Sequence, residues 1–70
     1  MWDYRLIQTE ESLSIHEVYY TDSGEPEMWT ESPITVSGED FEDTWNCYTM
    51  MKEAFHKPIL AIKDNKLIGL

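Results

Sequence analysis

The sequence predicts an α+β fold: a three-stranded antiparallel sheet covered by one helix from the second half of the chain, β-β-β-α, with a further C-terminal β-hairpin as an added possibility. Three observations predict it. Residues 2–9 and 13–20 carry the alternation and the β-branched and aromatic enrichment of strands. "TDSGEPE" supplies turn chemistry between two such runs. Phe41, Trp45, Tyr48, Met51 and Phe55 then recur at helical spacing.

In "WDYRLIQT", Trp2, Tyr4 and Leu6 share one side, with Asp3, Arg5 and Ile7 on the other, as in a half-buried strand. "EES" is a short polar turn. "LSIHEVYY" is the second strand. Its apolar side changes near His16–Glu17, which calls for a bulge or for burial of both faces. Asp22, Ser23 and Gly24 turn the chain, Pro26 lies just before the next strand, "EMWTES" forms it, and Pro33 ends it.

Asp40 fits the N-cap of the helix, with Asp43 three residues on in a variant capping box. Glu42 and Asp43 suit the positive end of the helix dipole. The stripe from Phe41 to Phe55 reads as the core face that packs on the sheet. Lys57–Pro58 stops the helix, because a residue before proline disfavours helical geometry. The tail "ILAIKDNKLIGL" has two apolar runs around "KDNK", a tight hairpin turn by chemistry. It either extends the sheet or docks on a second subunit.

The 70 residues make one domain, with 1–58 as its core and 59–70 as an apolar tail or hairpin. A domain of this size is marginally stable. Cys47 is the single cysteine, so no intrachain disulfide helps, and the lone thiol suits a reducing cytoplasm. Nine aromatic residues and self-association are the remaining sources of stability. No run reaches the ~18 apolar residues of a membrane span. "MWDYRLIQTEE" does not read as a signal peptide, so the expected location is cytoplasmic.

Fourteen acids against five bases give a formal net charge of −9. Residues 1–40 hold ten of the acids and one base, Arg5, whereas residues 57–70 carry three Lys against one Asp. Direct nucleic-acid binding is disfavoured, since phosphate contacts need clustered Lys and Arg. A basic protein partner is attracted.

His16 and Glu17 are adjacent on a strand and point to opposite faces, so they do not form a catalytic pair. No nucleophile signature accompanies Ser12, Ser14, Ser23, Ser32 or Ser37. Cys47 reads as a small buried hydrophobe. Glu53 and His56 have one Glu-x-x-His spacing, where di-iron bundles need two such pairs and more glutamates. The expectation is therefore no catalytic residue, no metal and no cofactor. Trp29, flanked by Glu27 and Glu31, reads as an interface anchor.

"MWDYRLI", "IHEVYY", "WTESP" and "KPIL" resemble a short uncharacterised family of bacterial proteins prominent in cyanobacteria and their phages. Matching positions include Ile15 to Tyr20, Gly24, Trp29, Thr30, Glu31, Pro33, Lys57 and Pro58. The likeness covers about residues 1–60 and implies no activity. "WNCYTMM" and the tail depart from it by adding apolar surface. A weaker likeness, in layout only, is to HicB-type antitoxin domains, which oligomerise and cap a basic toxin. The leading expectation is a non-enzymatic, self-associating protein-binding module that modulates a partner. Its expected contact residues are Glu17, Tyr19, Tyr20, Trp29 and Glu31, with the tail as the self-association surface. The alternative is a phage-derived inhibitor whose acidic face imitates nucleic acid and blocks a defence or transcription protein.

Overall fold

The computed structural model describes residues 1–70. Its elements are β1 (Trp2–Gln8), β2 (Leu13–Tyr20), β3 (Pro26–Trp29), α1 (Phe41–Met51), a 3-10 stretch (Lys52–His56), β4 (Leu60–Lys63) and β5 (Lys66–Gly69). The sheet has five strands in the order β3-β2-β1-β4-β5, not three. It is mixed rather than antiparallel, because β4 runs parallel to β1, pairing Ile7 with Leu60. The fold remains α+β, but the simple β-β-β-α layer is corrected.

The difference lies in the tail. "KDNK" makes the hairpin turn, with Asp64 and Asn65 at φ 52° and 60°. Both values are the left-handed ones that a tight two-residue turn requires and that Asp and Asn tolerate. The resulting hairpin adds to the free edge of β1, with Leu60 and Leu67 buried. A parallel addition needs a crossover, and α1 with its 3-10 extension supplies it.

The sheet curls until its outer strands β3 and β5 meet. Residues paired across β1 and β2 share a face, so Asp3, Arg5, Ile7, Ser14, His16 and Val18 line the inside of the curl. Ile7, Val18, Leu60 and Leu67 form the core there, with Tyr20 and Trp29 packed against it. Both faces of β2 are thus covered in its middle, without a bulge against β1. The register shift comes later, between Tyr19 and Tyr20 against β3. β3 is shorter than "EMWTES", and Pro26 belongs to it, opposite Tyr20. Beyond it, Thr30 and Ile34 still donate backbone hydrogen bonds to Glu17 and Ile15 of β2.

Asp40 caps α1 as its chemistry demands: its carboxylate accepts from the Asp43 amide at 2.8 Å. The Asp43 carboxylate accepts in turn from the Glu39 amide, one residue before the cap. Lys57, with φ −119° and ψ 157°, ends the helical run in the extended conformation that Pro58 imposes.

The helical stripe is where the packing departs most from expectation. Met51 is buried, but Phe41 is 85% exposed, Phe55 67% and Trp45 54%. The covered side is instead Thr44, Cys47, Met51 and Ala54, partly or fully buried at helical spacing and next to the aromatic stripe, with Thr44 against Gly38 of the preceding segment. Contact with β1 is made more by the 3-10 stretch than by α1, so the helix start stands away from the sheet. No helix is long and apolar enough to cross a membrane.

Candidate protein-interaction site

Pairing of β1, β2 and β3 places Trp2, Tyr19 and Met28 side by side in one row, Trp2 opposite Tyr19 and Tyr19 opposite Met28. All three are exposed, on the sheet face opposite the Ile7–Val18 core. Tyr4 packs edge-on against Trp2, with ring centroids 5.1 Å apart at 88°. Glu17 lies opposite Tyr4 and accepts a 2.6 Å hydrogen bond from the Tyr19 hydroxyl. That bond, with some desolvation and the nearby carboxylate charge, raises the Tyr19 pKa above its ordinary value. Burial, and then the neighbouring Cys47 thiol, raises that of Tyr4. The row is an apolar strip with one carboxylate, Glu17, fixed beside its central Tyr19.

The five expected contact residues divide. Tyr19 belongs to this row and Glu17 lies beside it on the same face. Tyr20 and Trp29 turn to the inner face and pack on the core. Tyr20 donates to Asp3 at 2.6 Å and accepts from Arg5 at 3.0 Å. Glu31 is exposed beyond the end of β3. Trp2 and Met28 complete the row without being among the five. The alternation of β1 puts Trp2 on a face shared with Tyr4, but only the strand register brings Tyr19 and Met28 alongside it.

His16 is buried at 3% exposure. Its Nδ1 lies 2.8 Å from the Thr30 carbonyl, which can only accept, so Nδ1 carries the proton. Nε2 is then the acceptor for the Ser14 hydroxyl at 3.2 Å. This is the order of a nucleophile, a base and an orienting group. The cavity beside it is lined by Glu10, Glu11 and Glu31 as well as Ser12 and Ser14. Three carboxylates oppose the negative charge that develops when a hydroxyl attacks a carbonyl. The arrangement satisfies a buried imidazole and ties β2 to the irregular segment that follows β3. Glu53 and His56 form no metal-holding group, nor does any other set of three His, Cys, Asp or Glu side chains.

The fold and this surface define a class: a small acidic α+β protein with a curled mixed sheet, one stand-off helix and an open aromatic row. Comparison with family models, curated proteins and solved structures finds none that matches this chain.

Proposed function

We propose that this protein is a non-enzymatic binding module that docks a basic partner protein on the Trp2–Tyr19–Met28 row and modulates it. The observation that carries the proposal is the row itself: three large side chains on adjacent strands, exposed by 42%, 38% and 64%. Rigid aromatic groups of this kind dominate binding energy at protein interfaces. Glu17 gives the strip a fixed acceptor, and ten of the fourteen acids fall in residues 1–40, around it in sequence. The fitting ligand is an apolar side chain flanked by Lys or Arg.

The test is affinity capture with wild-type protein and with the Tyr19→Lys/Met28→Lys variant, washed at low and high salt. A basic protein held by the wild type through the high-salt wash and lost by the variant supports the reading. Equal capture by the variant overturns it. Capture that vanishes at high salt and ignores the variant favours the second reading, in which the acids imitate a phosphate backbone.

A further inference from the structure

We infer that the exposed aromatic face of α1 is a self-association surface, occupied by the same face of a second copy of this chain in an antiparallel, two-fold arrangement. Phe41, Trp45, Tyr48 and Phe55 lie along it. Trp45 and Tyr48 stack at a tilt with centroids 5.6 Å apart. Between this stripe and Val36 runs a groove in two stretches. One is lined by Phe41, Trp45 and Tyr48, the other by Ile15, Met51 and Phe55. Val36 and Tyr48 belong to both, so the groove is continuous along the helix.

The chain's total surface is large enough to leave room for an interface of this kind. A folded monomer of 8.3 kDa is expected to expose about 4,600 Å², whereas this chain exposes 5301 Å². The excess, about 700 Å², approaches the ~800 Å² that each partner buries in a standard interface. Only eight residues are buried, so this chain has more to gain than most from covering apolar side chains.

Charge selects a second copy as the occupant. The first turn of α1 is acidic, with Glu42 and Asp43, and has no basic residue to balance it in the last turn. Lys52 follows that last turn, 5.7 Å from the Tyr48 ring centroid, and His56 ends the 3-10 stretch. Antiparallel pairing sets Glu42, at the acidic start of each helix, beside Lys52 of the other. A two-fold axis makes both contacts at once, as isologous interfaces do. The tail expected to supply self-association is instead half consumed by the sheet, through Leu60 and Leu67.

Sedimentation equilibrium of the full chain tests the inference. The expected result is a mass twice 8.3 kDa, persisting or tightening as salt screens the repulsion between two chains of net charge −9. Phe41→Lys should weaken the dimer at least about tenfold, a loss typical of a truncated or charged interface anchor. It should leave the circular dichroism spectrum unchanged, because Phe41 is 85% exposed in the monomer. Lys52→Glu should also weaken it, and Glu42→Lys added to that variant should restore it. A wild-type mass of 8.3 kDa at the highest attainable concentration overturns the inference. So does a dimer indifferent to Phe41→Lys. A dimer lost in Tyr19→Lys but retained in Phe41→Lys also overturns it, placing association on the sheet row. Failure of the charge swap to rescue overturns the antiparallel arrangement.

Discussion

The Tyr20 hydroxyl donates to the Asp3 carboxylate across 2.6 Å. Asp3 Oδ2 in turn pairs with the Lys57 ammonium at 2.6 Å. Arg5 reaches both the Tyr20 hydroxyl at 3.0 Å and the Pro58 carbonyl at 2.8 Å. One network therefore joins β1 and β2 to the segment that enters β4. It holds residues 57–58 over β1, where the chain must pass for β4 to run parallel beside that strand. Tyr20→Phe should cost about 1–2 kcal/mol, since Asp3 and Arg5 each lose a bond in a partly buried setting. Urea unfolding of the two proteins measures it, with an unchanged m-value expected. A loss within error would mean that water replaces the hydroxyl without penalty.

The same tyrosine sets an alkaline limit. Burial, followed by the bond to Asp3, raises its pKa above 10.0, against the opposing pull of Arg5. The folded state thus holds this proton more tightly than the unfolded chain does. Its contribution is complete below about pH 10 and is lost as pH rises through the higher folded value. Tyr4 and Tyr19 shift in the same direction. Stability should fall above pH 10 more steeply in the wild type than in Tyr20→Phe. Phenolate absorbance during an alkaline titration should show Tyr4, Tyr19 and Tyr20 titrating late.

Ile7 is fully buried and meets Val18, Leu60 and Leu67 within the curl. Ile7→Ala should cost about 2–5 kcal/mol through lost burial and the cavity left behind. In a domain this small, that is a large part of the total stability. Thermal unfolding should show a much lower midpoint, with loss of the β4–β5 hairpin from protected amides.

Gly38 supports the start of α1. A Cβ there would come within 2.5 Å of the Thr44 amide nitrogen and 2.8 Å of its hydroxyl. Gly38→Ala should therefore push the 33–38 segment away from the helix at a cost of about 1–3 kcal/mol, the range of overpacked sites. It should also weaken self-association, because Val36 forms one wall of the groove. Gly24→Ala is a different case: nothing lies within 4 Å of the added carbon, but φ is +88°, so its cost is backbone strain.

Local chemistry in the sequence determined much of this protein. β1 and β2, the Asp40 cap, the stop at Lys57–Pro58 and the "KDNK" turn all follow from side-chain period, capping groups and proline geometry. Such features depend on residues a few positions apart, and the chain states them directly. The tertiary structure alone decided three matters. The hairpin joined β1 in parallel, because Asp3, Arg5, Tyr20, Lys57 and Pro58 meet only once the crossover is made. The helix seated its small seam of Thr44, Cys47, Met51 and Ala54, leaving the larger aromatic stripe outside. Periodicity fixes which residues share a helix face, but how the helix rotates against the sheet depends on how closely two surfaces can approach. Finally, the row of Trp2, Tyr19 and Met28 arose from strand register, which brings residues from three strands together and which no single strand records.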